Sequence, residues 1–355
     1  MTSSSRTTAV VRPVVATLIV IAIAWAICAA VSPLLLTTWV GVAFMACVPA
    51  QVVIGPVWHA GWPHSVANSP QPGKGLGLTL LMVLAGAVCF AWIEYGFGKG
   101  FGPPPPMTVM YTILSIVVCL WLALAWRCWP LTLFLKTPPA LGVGVLVFSY
   151  AVAFVLFKLL FNFGFMAGAP VYVATLDPKG MFNAWTILVY GVTSVGTIMA
   201  FMLLDFWPAS RLVGESRPVL VSALSTPLIL AVAALLMWLV VGKLGMDPVV
   251  FMVRFPVSFI FGFFLITAMA ENRLFMGMGQ PVKGALLIVT AAVAMFALYA
   301  LYAAAAPLLA RAPLPSGAPG YDLELWVATA MLGITFPLVI AFAAFFNFWP
   351  LKRNG

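Results

Sequence analysis

The sequence predicts an all-α integral membrane protein, a bundle of about ten transmembrane helices with both termini in the cytoplasm. Three observations lead there. Of 355 residues, 64% are hydrophobic and only 7% are charged, against roughly 25% charged in an ordinary soluble domain. Apolar stretches of about 20 residues, the length that crosses a hydrocarbon core, recur from one end to the other. Trp-Pro dipeptides punctuate these stretches at regular places. Ten spans leave room only for connections, so residues 1–355 read as a single polytopic membrane domain.

The first apolar segment, 12–31, follows a Ser/Thr-rich start carrying Arg6 and Arg12. It is too long for a signal-peptide core and has no clear cleavage site, so it is expected to be retained as a helix. Only Ser32 and Pro33 separate it from the second segment, 33–55, which predicts a tight hairpin; one bent element there would give nine helices and move the C-terminus to the other side. The remaining segments fall at 76–96, 107–129, 140–162, 185–206, 218–241, 250–270, 284–306 and 325–348, bounded by charges or Pro/Gly clusters. Two connections, GFGKGFGPPPP at 96–106 and ARAPLPSGAPG at 310–320, cannot continue as helix. The long one at 161–184, rich in Phe, Met, Gly and Ala, suits a partly re-entrant loop whose tip, with Asp177 and Lys179, reaches water.

Orientation follows the bias of Lys and Arg towards cytoplasmic loops. With the N-terminus inside, that side holds Arg6, Arg12, Lys74, Arg127, Lys136, Arg211, Arg217, Arg273, Lys283, Lys352 and Arg353; the other holds Lys99, Lys158, Lys179, Lys243, Arg254 and Arg311. Eleven against six places both ends inside. The net charge of +9 is therefore read as topogenic charge beside anionic lipid, and nucleic acid is not an expected partner.

The composition also removes chemistry. The five cysteines, Cys28, Cys47, Cys89, Cys119 and Cys128, form no CxxC pair and have no metal-ligand spacing with a histidine. His59 and His64 stand five apart in VWHAGWPHS without a neighbouring Cys, Asp or Glu. No metal and no cofactor is expected. PGKG around Lys74 lacks the phosphate-loop spacing, and no GxSxG elbow occurs.

Trp-Pro occurs four times, at Trp62-Pro63, Trp129-Pro130, Trp207-Pro208 and Trp349-Pro350, where 13 Trp and 28 Pro placed at random would give about one. Each copy follows an even-numbered segment. A further proline comes 9 or 10 residues later in the first three, at Pro72, Pro139 and Pro218, while Gln280-Pro281 and Lys283-Gly284 echo Gln71-Pro72 and Lys74-Gly75. A Trp at headgroup level followed by a Pro explains each copy singly. Their shared side and spacing predict five similar helical hairpins in one orientation, with Ala60, Arg127, Asp205 and Asn347, each three before its proline, in equivalent places. Five such hairpins resemble, in architecture alone, the quasi-fivefold anion channels of the tellurite-resistance type.

Ionisable side chains inside membrane spans are costly and mark candidate sites. Glu94, Lys158 and Arg254 share one depth near the outer ends of their segments and, with the Tyr190 hydroxyl beside the small residues Gly191, Thr193, Ser194, Gly196 and Thr197, are the candidate solute contacts. Arg127, Asp205, Glu271 and Asn347 are the candidate inner-mouth or gating groups, with an Arg127–Asp205 ion pair among the outcomes; solvation of each at the membrane edge is the competing reading. The expected function is a transporter or channel for a small solute in a bacterial inner membrane, with partners limited to lipid, solute and a second copy or other membrane subunit. The competing functions are a membrane-embedded enzyme acting on a lipid-like or isoprenoid substrate and an anchoring subunit of a complex.

Overall fold

The computed structural model describes residues 3–214, 216–269, 274–275 and 277–352. Ten helices in it are long and apolar enough to cross a membrane: α1 (Pro13–Ala30), α2 (Pro33–Val57), α3 (Gly73–Phe97), α4 (Pro106–Ala125), α5 (Pro138–Leu160), α6 (Ala184–Leu203), α7 (Pro218–Lys243), α8 (Pro248–Met269), α9 (Val282–Ala310) and α10 (Asp322–Phe345). The first two are separate helices. Ser32 ends the question locally, because its hydroxyl accepts the Leu35 amide at 3.3 Å and caps α2.

Burial alternates along the chain. The apolar windows of α2, α4, α6, α8 and α10 are 61% or 67% buried, whereas those of α1, α3, α5, α7 and α9 are 28% or 33% buried. The even-numbered helices form a closed inner ring in which α2 packs on α4, α4 on α6, α6 on α8, α8 on α10 and α10 on α2. Each odd-numbered helix wedges between two of these: α3 between α2 and α10, α5 between α4 and α2, α7 between α6 and α4, α9 between α8 and α6, and α1 between α10 and α8. The repeating unit is thus an inner helix followed by an outer one, and α1 takes the outer place beside α10. Close backbone approach supports the pairs. A Cβ at Gly262 of α8 would stand 2.7 Å from the Ala291 carbonyl of α9, and one at Gly86 of α3 would stand 2.3 Å from the Cys47 sulfur of α2.

The turn that follows each inner helix explains the Trp-Pro pattern. In α2, α4 and α10 the last turn widens to i→i+5 bonding, with Trp58 N–H donating to the Val53 carbonyl, Trp126 to Trp121 and Phe346 to Ala341. Two consecutive residues then adopt left-handed backbone: His59 and Ala60 (φ 51° and 52°), Arg127 and Cys128 (49° and 63°), Asn347 and Phe348 (48° and 61°), and, after α6, Asp205 and Phe206 (51° and 57°). Non-glycine residues adopt this conformation at a cost of about 1–2 kcal/mol each. Long backbone bonds offset it: the amides of Ala60, Cys128 and Phe348 reach back six residues to Ile54, Leu122 and Phe342. This geometry corrects the sequence register. His59, not Ala60, is the equivalent of Arg127, Asp205 and Asn347, because Gly61 adds one residue between the first left-handed pair and its Trp-Pro.

The carbonyl two residues ahead of the left-handed pair is claimed by the neighbouring outer helix. Ser222 of α7 donates to Ala125 of α4 at 2.6 Å, Gln280 before α9 to Leu203 of α6 at 2.9 Å, and Gln71 before α3 to Phe345 of α10 at 2.8 Å. At the fourth junction the bond runs the other way, from the Trp58 indole to the Pro138 carbonyl at the start of α5, at 2.6 Å. The carbonyls of Ala125, Leu203 and Phe345 end their helices without a helical partner, so the side-chain bonds from the outer helices both satisfy them and fix the wedge.

On the opposite face, the 161–184 connection folds on itself. Phe161–Asn162 and Phe182–Asn183 pair as two-residue parallel strands, and Asp177 accepts the amides of Phe163 and Lys179 and the Tyr172 hydroxyl. Beyond it, Asp247 caps α8 through the amides of Val249 and Val250 and accepts the Tyr321 hydroxyl at 2.9 Å, tying the start of α8 to that of α10.

Replacing Ser222 by Ala should lower the thermal unfolding midpoint of the detergent-solubilised protein, the loss corresponding to about 1 kcal/mol for one interhelical bond. Thr226→Ala removes only a bond to its own helix, at Ser222, and should leave the midpoint unchanged. Burial first, and then the Asp247 carboxylate, push the Tyr321 hydroxyl up to about 12. Its contribution to stability is full below the unfolded tyrosine value near 10 and is lost as pH rises from there through about 12. Unfolding midpoints across that window should fall more for the wild type than for Tyr321→Phe.

Candidate functional site

Two places concentrate polar groups: an unpartnered carboxyl in α3 and a cavity on the Trp-Pro face. The first is Glu94, in the last turns of α3. Its side chain is 1% exposed, and neither carboxylate oxygen has a hydrogen-bond partner. The helix widens over Trp92–Phe97, Phe97 stacks on Tyr111 of α4 at 4.0 Å, and the Trp92 indole donates to the Tyr111 hydroxyl at 3.0 Å. Thr108, in the first turn of α4, is also wholly buried with an unpartnered hydroxyl. Gly98 lets this turn of α4 close on α3: a Cβ there would lie 2.9 Å from the Glu94 carbonyl and 3.1 Å from the Thr108 hydroxyl.

The repeat supplies a comparison for Glu94. In α7 the segment Trp238–Lys243 has the same widened turn. Amides six residues on close both ends alike, Gly100 onto the Glu94 carbonyl at 2.8 Å and Met246 onto that of Val240 at 3.1 Å. Valine fills the position in α7; in α3 it is a carboxylate. A buried carboxyl without a partner costs several kcal/mol, a cost the α7 copy avoids. By contrast Glu324, also 0% exposed, is satisfied by the Ser316 hydroxyl and the Gly317 amide.

The second place lies on the Trp-Pro face. A cavity of about 330 Å³ is lined by His59, Ser69, Gln71, Lys74 and Asn347, with Ala60, Ala67 and Ala344 completing it. It sits where the α2–α3 connection meets the end of α10. Among the described residues the lining holds one lysine, one histidine and no acid.

The other predicted site residues are distributed as follows. Lys158 is exposed on α5 with its ammonium 5.7 Å from the Phe154 ring. Arg254 of α8 is half-buried and donates to the Tyr299 hydroxyl of α9 at 3.1 Å. Tyr190 donates to the Leu230 carbonyl of α7 at 3.1 Å. Glu94, Lys158 and Arg254 therefore face different neighbours and form no common ion-pair cluster. Arg127 is exposed, and the Asp205 carboxylate accepts Gln280 at 2.8 Å instead of pairing with it. Asn347 lines the cavity and accepts Lys352 at 3.4 Å. Glu271 lies outside the described residues. Thr193 and Thr197 bond to carbonyls of their own helix, and Ser194 receives the Trp121 indole of α4 at 2.9 Å, so this stretch serves helix contact.

Gln71, Gln280, Ser222 and Glu324 carry structure that the sequence reading did not assign to them. Only the two glutamines had a signal, the shared Gln-Pro with Lys-Gly downstream. Among the described residues no group of His, Cys, Asp and Glu could hold a metal ion. Comparison with known proteins gives no match to a family model, a curated protein or a solved structure.

Proposed function

We propose that this chain is a membrane transporter or channel for a small solute, with a polar path among the transmembrane helices and Glu94, at the contact of α3 with α4, as the group that meets a cationic centre of the solute or of an ion moving with it. The observation that carries the reading is the wholly buried Glu94 carboxylate with no protein partner. A charge of that kind inside a membrane span is retained where something outside the protein completes it. The basic bias of the loops puts the Trp-Pro face in the cytoplasm and Glu94 towards the other side, near the entrance of such a path. A bacterial inner membrane fits that bias.

The test is flux in vesicles reconstituted with the purified chain, across a panel of inorganic cations, amines, amino acids and organic acids. Wild-type protein should carry at least one cationic or zwitterionic member, and Glu94→Gln should slow that flux roughly tenfold or more, as expected for loss of one charge-assisted contact, with insertion and thermal stability retained. Flux unchanged by Glu94→Gln removes Glu94 from the path. No flux with any member of the panel overturns the transport reading.

A further inference from the structure

The two Gln-Pro corners of the Trp-Pro face are built alike, and they differ in one charge. At both, the glutamine spans from an outer helix to an inner one. Gln280 donates to the Leu203 carbonyl and accepts the Gly284 amide at 3.0 Å; Gln71 donates to the Phe345 carbonyl and accepts the Gly75 amide at 3.2 Å. Each acceptor carbonyl lies two residues before the left-handed pair, which starts at Asp205 in one corner and Asn347 in the other. Each glutamine is followed three residues later by a lysine, Lys283 or Lys74. In the first corner the Asp205 carboxylate accepts a further bond from Gln280 at 2.8 Å. In the second the equivalent residue is the neutral Asn347, approached by Lys352, and the space beside it is the 330 Å³ cavity to which Lys74 and His59 contribute.

We infer that this cavity binds an anionic phosphate group, which takes at the Asn347 corner the place that the Asp205 carboxylate holds at the other. The charge balance favours an anion, since among the described residues the lining has a lysine, a histidine and no acid. The site borders the first turn of α3, whose dipole favours negative charge; the amides of Lys74, Gly75 and Leu76 there are already taken by Pro70, Gln71 and Pro72. It lies at the membrane edge, at the depth of lipid headgroups, so the phosphate is supplied either by an anionic lipid or by solution. The inference is independent of what crosses the bundle.

The experiment uses the full chain in a neutral detergent, with thermal unfolding and native mass spectrometry as readouts, against inorganic phosphate, phosphatidylglycerol and zwitterionic phosphatidylcholine. Two variants keep the test interpretable. Lys74→Gln removes a cation, and Asn347→Asp installs the carboxylate that the other corner already has. Stabilisation by inorganic phosphate that is weakened roughly tenfold in both variants assigns a free anion. Stabilisation and retention of phosphatidylglycerol alone, weakened likewise, assigns a lipid headgroup. Asn347→Asp should also leave the ligand-free protein at least as stable as the wild type. The inference is overturned if neither phosphate nor phosphatidylglycerol binds, if phosphatidylcholine binds equally well, or if both variants bind as the wild type does.

Discussion

The carbonyls at the ends of the inner helices α4, α6 and α10 are the groups on which the arrangement of the bundle turns. Lipid offers no hydrogen bonds, and the last carbonyls of a helix have no partner within it. At three junctions the carbonyl of Ala125, Leu203 or Phe345 is taken by a side chain from the adjacent outer helix, and at a fourth Trp58 makes the reciprocal link to Pro138. Apolar contact has little power to distinguish one helix pairing from another when the surroundings are equally apolar. A directed bond from Ser222 or Gln280 does distinguish them, because it exists only when the outer helix lies in one crevice of the inner ring. The bond recurs at three of the junctions between inner and outer helices.

The left-handed pairs serve the same end. A chain leaving an inner helix must reverse so that the next helix returns along the crevice beside it. Two successive left-handed residues at 59–60, 127–128, 205–206 and 347–348 make that reversal within a few residues, and the long amide bonds behind them keep the helix end saturated. The following Trp-Pro then has two jobs fixed by chemistry: the indole sits at the headgroup level and the proline prevents a return to helix. Trp58 shows the link between the two, since its indole both packs on Trp62 at 4.6 Å and bonds to the start of α5.

The ten spans, the separate first pair and the repeat were legible in the amino-acid sequence because apolar length and Trp-Pro spacing are one-dimensional signals. The rotation of each helix was not. Apolar residues surround these helices on every side, so hydrophobicity does not say which side faces a neighbour. That is why Lys158 points to the exposed side of α5, Tyr190 towards α7 and Arg254 towards α9, although their depths along the chain had grouped two of them with Glu94. Register was lost for a related reason. Counting from the proline placed Ala60 with Arg127, Asp205 and Asn347, whereas the structural origin is the helix end, and Gly61 shifts one count against the other. Arg127 and Asp205 share a depth and opposite charge, but Gln280 stands nearer to Asp205 by way of the clamp, a contact that spans 75 residues of sequence.

In a bundle made of near-equivalent units, a departure from the repeat is more informative than the residue type by itself. Packing requirements are common to all units, so whatever packing demands recurs: the widened turns, the left-handed pairs and the clamped carbonyls. Glu94 does not recur; the same turn of α7 carries Val240, which satisfies the backbone equally well. A carboxylate retained there, 1% exposed, gives the fold nothing that valine fails to give and costs several kcal/mol in desolvation. Glu94 is thus a point at which α3 departs from α7 at a cost that the backbone does not require. Asn347 differs from Asp205 at the matching Gln-Pro corner by one negative charge, while His59 and Arg127 hold the same place in the other two turns. One departure buries a carboxyl towards the face opposite the Trp-Pro turns; the other sets a neutral side chain beside a cavity on the Trp-Pro face.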